Sequence, residues 1–193
     1  SNPLTRAFTR LLFSYSNKKL NQTIHGIKFK NPLGLAAGFD KNAQLTQIIP
    51  HVGFGHMEVG SITGEACDGN PKPRLWRLKK SQGLVVYYGL KNKGCQKIAK
   101  SLQKKKFAAP VGISIAKTNC KETSNKEKGI QDYFKAYKTV KDLSDYITIN
   151  ISCPNAFGGQ PFNDKKSLDE LLTKLKTLPT TKPIFLKLPP DLS

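Results

Sequence analysis

The chain has 193 residues, 38% of them hydrophobic, which is enough for one domain with its own core. Lys and Arg number 32 against 13 Asp and Glu; the formal charge of +19 favours acidic partners such as phosphate ligands or anionic lipid. The four cysteines form no C-x-x-C pair and only three histidines accompany them, which argues against a disulfide framework or a metal centre and fits a reducing compartment.

The first segment places Leu4, Phe8, Leu11, Leu12 and Tyr15 at helical spacing, with Arg6 and Arg10 between them. Two readings stand: a cationic amphipathic helix on a membrane surface, and a helix docked on its own domain. The domain division expected is residues 1–20 for this helix and 21–193 for the remainder. No run approaches the roughly 20 apolar residues of a spanning helix, and no signal peptide is legible.

Strands are expected at residues 26–30, 33–37 and 57–62, with a helix over 42–49. A polar excursion follows, in which Asn70-Pro-Lys-Pro73 is turn chemistry and Arg74-Leu-Trp-Arg-Leu78 an extended strand outside the main sheet. Residues 84–88 form another apolar run, and 95–106 a helix with a basic outer face. Val111-Gly-Ile-Ser-Ile115 is the next main strand, and 121–129 a charged loop. A helix over 133–143, a strand over 146–151, a helix over 168–178 and a strand over 183–188 complete the pattern.

The alternation of short apolar strands with helices predicts a parallel α/β sheet. A doubly wound sheet is one form, but no G-x-G-x-x-G follows the first strand. The other is a (β/α)8 TIM barrel with about five of its eight strand–helix units present, since a closed barrel takes about 250 residues. Polar residues gather at or just past the carboxyl ends of the strands: Lys41, Ser61, Thr63, Ser114, Lys117, Asn150, Cys153, Asn155 and Lys187. In a (β/α)8 enzyme that face is the active site. The lysines are scattered through helices with no nucleic-acid motif, so nucleic acid is not an expected partner.

Four stretches carry a resemblance to a known family. They are Asn31-Pro-Leu-Gly-Leu-Ala-Ala-Gly-Phe-Asp-Lys-Asn42, Gly69-Asn-Pro-Lys-Pro-Arg-Leu-Trp-Arg-Leu78, Asn150-Ile-Ser-Cys-Pro-Asn155 and Lys187-Leu-Pro-Pro-Asp-Leu192. Together they resemble dihydroorotate dehydrogenase, in the class that passes electrons to membrane quinone. The resemblance implies a (β/α)8 flavoprotein that binds FMN at the strand ends and oxidises dihydroorotate to orotate in pyrimidine biosynthesis. It implies a peripheral place on the cytoplasmic side of a membrane; a cytoplasmic place is the alternative. The family's FMN phosphate site lies in late strand loops that these residues do not include, so a missing barrel half is an expected partner.

Residue by residue, Ala37, Gly38 and Lys41 match the segment that packs on FMN, and Lys41 resembles a lysine reaching flavin and substrate. Ser61 and Thr63 match further flavin contacts, and Ser114 stands at the position of another. Asn150 and Asn155 match asparagines that hold orotate, Asn150 also touching flavin. Lys187 resembles the lysine at the flavin N1–C2 edge, where a fixed positive charge stabilises reduced flavin. Cys153 aligns with the catalytic base, as in soluble class 1 members, where quinone-linked members carry serine.

Structural readings stand beside these. Lys41 can be a solvated first-turn lysine, and Ser61 and Thr63 can satisfy loop backbone. Asn150 and Asn155 can brace the loop at Pro154, and Lys187 can pair with Asp191. Ala37 and Gly38 can be small because helices crowd them, and Cys153 can be an inert buried thiol. Asp40 is read as the cap of the helix expected after it.

The chain also departs from the family. Val86 stands where an orotate-binding asparagine belongs, Leu90 where an aromatic closes on substrate, and Ser114 where an FMN-contacting asparagine is usual. Ala116 replaces a glycine, Thr118 an asparagine, and Ala156-Phe-Gly-Gly159 the usual Thr-Pro-Gly-Leu-Arg run. Two further readings follow: an FMN oxidoreductase acting on another planar substrate, and a partial, non-catalytic barrel. Quinone is the expected electron acceptor, with fumarate and oxygen left open.

Overall fold

The structure is a computed structural model and describes residues 2–190. The weighed pairing of Lys187 with Asp191 lies outside the described residues, as does the end of the Lys187–Leu192 motif.

Helix α1 runs over Pro3–Phe13. The Asn2 side chain accepts from the Thr5 backbone N–H at 2.7 Å, and Pro3 occupies the first turn, where its missing N–H costs nothing. No α1 residue is buried, and Leu4 and Leu11 are each 81% exposed. Arg6 Nη1 donates to Gln47 Oε1 at 3.2 Å, and the Phe13 carbonyl lies against Gly53. A hairpin follows, β1 (Gln22–Ile24) antiparallel to β2 (Ile27–Phe29). His25 and Gly26 make its two-residue turn at φ 49° and 78°.

The main sheet holds β3 (Gly34–Leu35), β4 (His56–Ile62), β7 (Val111–Ile115), β8 (Tyr146–Asn150) and β9 (Ile184–Lys187). Between β4 and β7 lies an antiparallel hairpin outside the sheet, β5 (Leu75–Leu78) and β6 (Gly83–Val86). All pairings in the main sheet are parallel, and spatial order follows chain order. A doubly wound sheet would reverse direction at a switch point. This sheet does not, so it is an arc of a barrel wall. Among the described residues no strand pairs with the outer edges of β3 and β9, and the barrel is not closed.

Helices α2 (Cys95–Leu102), α3 (Lys126–Val140) and α4 (Lys165–Lys176) cover the outer face. Ile98, Leu102, Tyr133, Tyr137 and Leu171 meet Val59, Ile113, Ile115, Ile147 and Ile149 in one core. Each such side chain contributes about 1.5–3 kcal/mol through removal from water. β7 and β8 are buried throughout.

Two expectations change. The helix over 42–49 does not form: Ala43 sits at φ 55°, outside the helical region, and only a 3-10 turn over Ile49–His51 appears. Asp40 still satisfies backbone donors as a cap would, accepting from Gln44 N at 2.8 Å and Leu45 N at 2.7 Å, but it braces a turn. The loop expected over 121–129 is partly helical. Asn125 accepts from Lys128 N at 3.1 Å and starts α3 well before the apolar stripe.

Candidate active site at the strand ends

Three adjacent strands deliver one polar chain at their carboxyl ends. Ser61 on β4 and Ser114 on β7 share a hydrogen bond of 2.8 Å between their hydroxyls. Asn150, the last residue of β8, donates from Nδ2 to Ser61 Oγ at 2.8 Å. Its Oδ1 accepts from the Ser152 backbone N–H at 3.1 Å and from Ser152 Oγ at 2.8 Å. Its backbone carbonyl accepts from Tyr133 on α3 at 2.7 Å. All of Ser61, Ser114 and Asn150 are buried. A buried hydroxyl or amide is retained only where its hydrogen bonds are made, and here they make one another's.

Gly60 permits this arrangement. Its φ is 107°, and a Cβ there would lie 2.4 Å from the Ser114 carbonyl oxygen. Only glycine lets β4 approach β7 so closely at this bulge.

At the neighbouring strand end, Gly38 donates its N–H to the Gly60 carbonyl at 2.8 Å. It has φ 104°, and open space lies where a Cβ would stand. Ala37 beside it is half-buried and Gly38 exposed. Lys41 folds back so that Nζ donates to the Gly38 carbonyl and lies 4.2 Å from the Tyr88 ring centroid. Burial pulls its ammonium below the ordinary lysine value. Lys187, on β9, pairs in register with Asn150 and is exposed.

Thr63 goes elsewhere. It is fully buried; its hydroxyl donates to the Glu65 carbonyl at 2.6 Å and accepts from Asn92 Nδ2 at 2.7 Å. It braces the loop after β4 and is not part of the polar chain.

Cys153 lies just past β8 and is half-buried. Burial pushes its thiol up; the Asn155 backbone N–H and the positive charges of Lys117 and Lys187 pull the other way. Asn155 reaches across to the hairpin: its Nδ2 donates to the Val86 carbonyl at 3.3 Å, and its own carbonyl accepts from Asn70 Nδ2 at 3.0 Å. Val86 therefore meets Asn155 through backbone, and the residue is 49% exposed.

Sequence reasoning overlooked Asp132. It is a buried carboxylate on α3 that accepts from Thr118 N at 2.7 Å, Thr118 Oγ1 at 2.8 Å and Gly64 N at 3.2 Å. It ties the loops after β4 and β7 together. The available signal was a charge on the apolar face of α3, between Ile130 and Tyr133. Asn119 was also unmarked. It donates to Asn70 Oδ1 at 2.9 Å and the Gly89 carbonyl at 3.0 Å, and accepts from Phe157 N.

The protein-family model for dihydroorotate dehydrogenase matches residues 19–193, nearly the whole chain. The chain belongs to the dihydroorotate dehydrogenase family. It is 40% identical over 182 residues to a dihydroorotate dehydrogenase (quinone) of a Nitratiruptor species, covering 94% of this chain and 51% of that one. It is 38% identical to a protein of the same name from Sulfurimonas denitrificans, covering 97% of this chain and 53% of that one. The crystal structure of ligand-free DHODH from Eimeria tenella superposes with a TM-score of 0.82 at 27% identity, over 99% of this chain and 62% of that one. The chain thus spans about half the length of the curated relatives it matches. The likeness to a solved dihydroorotate dehydrogenase agrees with the barrel arc, its strands running in chain order.

Proposed function

We propose that this chain contributes one wall of the active site of a quinone-linked dihydroorotate dehydrogenase, an FMN enzyme oxidising dihydroorotate to orotate. The observation that carries this reading is the Ser61–Ser114–Asn150 chain across three strand ends, with Cys153 following directly. Family membership and relatives named for quinone support it.

The residues present fit a flat flavin. Gly38 leaves bare backbone with open space above it, and small Ala37 lies beside it. Lys41 and Lys187 supply positive charge on either side of the buried hydroxyl and amide groups. FMN, when bound, supplies the acceptor for the hydride that leaves C6 of dihydroorotate. Ala37, Gly38, Ser61, Ser114 and Asn150 would hold the ring, and Lys41 and Lys187 would favour its reduced, anionic form. Thr63 would act only behind them, through its bond to Asn92.

Lys41, Asn150 and Asn155 would orient the substrate. Cys153 Sγ, as thiolate, would take the proton from C5. Burial holds the thiol value up, and the positive charges of Lys117 and Lys187 oppose it.

Quinone access is assigned to the side of α1. Its exposed Leu4, Phe8 and Leu11, flanked by Arg6 and Arg10, suit an anionic membrane surface. The attachment proposed is peripheral, by the first 20 or so residues; among the described residues no helix is long and apolar enough to cross a membrane.

A second reading keeps the flavin and changes the substrate. Val86 favours it, because its side chain offers no hydrogen bond beside Asn155. The experiment is to measure flavin content of the purified chain and the flavin spectrum on adding orotate. Stoichiometric FMN with an orotate-dependent shift supports the first reading. FMN with no shift supports the second. Absence of FMN, alone and with the remainder of a relative's barrel supplied, overturns both.

A further inference from the structure

Lys117 follows β7 by two residues and is 3% exposed. Its Nζ donates to the Phe157 carbonyl at 2.6 Å, across 40 residues of sequence. Phe157 lies in the loop that begins at Cys153, and its N–H is held by Asn119 Oδ1. Lys117 and Cys153 line one small cavity, together with Tyr133, Asn150 and Phe162. Among the described residues no carboxylate lies within ion-pair distance of Lys117. Asp132 is nearby, but its oxygens are engaged by Thr118 and Gly64.

A buried cation without an anion is costly, several kcal/mol in typical cases. Such a group is stabilised when an anion forms beside it. The groups around Lys117 are Cys120, Cys153, Asp132 and Tyr133; those around Cys153 are Lys117, Lys187 and Cys67. Of these, Cys153 alone is both proposed to lose a proton in the reaction and tied to Lys117 by a shared loop.

We propose that Lys117 is the positioning residue of Cys153: its buried ammonium anchors the loop that carries the thiol and sets a fixed positive charge beside Sγ. This rests on the reading of Cys153 as proton acceptor. When the thiol loses its proton, a lone buried cation becomes half of an ion pair.

The test is the rate of iodoacetamide alkylation of each cysteine, followed by peptide mass spectrometry from about pH 6 to pH 10. It needs neither flavin nor substrate. Lys117→Met is expected to move the Cys153 profile upward by about one unit, a roughly tenfold fall in rate near neutral pH. Lys117→Arg, which keeps the charge, is expected to stay within about twofold of the parent. Fully buried Cys95 reports on folding and should remain slow in all three chains. An unchanged Cys153 profile in folded Lys117→Met overturns the proposal.

If Lys117→Met exposes Cys95, the reciprocal measurement decides. In Cys153→Ser, acylation of Lys117 above the thiol midpoint should rise several-fold, because the neighbouring thiolate no longer holds its proton. Identical Lys117 acylation in parent and Cys153→Ser overturns the proposal equally. Coupling of the pair where no flavin binds, alone or with the remainder of a relative's barrel supplied, would leave Lys117 as the positioning residue of the thiol and remove its part in dihydroorotate oxidation.

Discussion

Asn150 at the end of β8 donates to Ser61 at the end of β4, spanning β7, which lies between them and contributes Ser114 to the same chain. The amide is the only one of these groups that fixes direction, since each hydroxyl can donate or accept. Asn150→Ala removes that direction and strands Ser152 as well. The expected cost is about 1–3 kcal/mol, the penalty of leaving buried polar groups unpaired. Denaturant unfolding of parent and variant measures it. Asn150→Asp should also cost stability at neutral pH: Ser61 can turn to donate to the carboxylate, but a charge is then buried with no cation bonded to it. A loss below about 0.5 kcal/mol for the alanine variant would mean the chain of hydrogen bonds is not a structural unit.

Gly60 precedes Ser61 and sets its place. Gly60→Ala puts a methyl 2.4 Å from the Ser114 carbonyl oxygen, at a φ of 107° that side chains rarely adopt. Backbone on both sides leaves no flexible group to yield. The expected loss is about 3 kcal/mol or more. Gly26→Ala makes the control, since it has positive φ but nothing within 4 Å. The two variants separate strain from clash when their unfolding midpoints are compared.

Glu58 projects from β4 toward the concave side of the sheet, where it accepts from Thr148 Oγ1 at 2.7 Å. Burial pushes its carboxyl above the usual range, against the Thr148 hydrogen bond and the positive charge of Lys187. The folded chain therefore keeps this proton at pH values where the unfolded chain has lost it. Stability from this group is greatest below the ordinary glutamate value of 4.5 and falls as pH rises through the raised folded value. Glu58→Gln keeps an acceptor for Thr148 and removes the titration. The variant should be more stable than the parent at neutral pH, and the difference should shrink as pH falls toward that value. Urea midpoints across this range measure it; a gap that stays constant with pH would sink the assignment.

The strand order and the polar strand ends were legible because both rest on local pattern. Buried strands such as Tyr146–Asn150 read as apolar runs, and Ser61, Ser114 and Asn150 break those runs at the sites where the chain of hydrogen bonds forms. Thr63 broke its run in the same way, yet it braces a loop through Asn92, a partner 29 residues away that no local signal marks. The failed helix over 42–49 has the opposite cause. Its residues suit a helix, but Asp40 draws the Gln44 and Leu45 donors to one carboxylate and Ala43 turns over. Lys117 carries no mark of burial in the sequence, and Asp132 only its place on the apolar face of α3. Their roles come from loops brought together by the fold.

Val86 is where substrate identity can be tested. Its carbonyl already accepts from Asn155, and its half-exposed side chain presents only methyl groups. Under the dihydroorotate reading one polar edge of orotate lacks a partner at this position. Val86→Asn supplies a donor and an acceptor without disturbing the carbonyl contact, since the hairpin register Leu75↔Val86 is a backbone pairing. A restored hydrogen bond in a partly enclosed site is worth about 1 kcal/mol or somewhat more, so orotate should bind roughly five- to twentyfold tighter. Titration of the flavin spectrum with orotate reads this directly. Tighter binding favours dihydroorotate as substrate. Weaker or unchanged orotate binding, with flavin still bound, favours a substrate whose edge at Val86 is apolar.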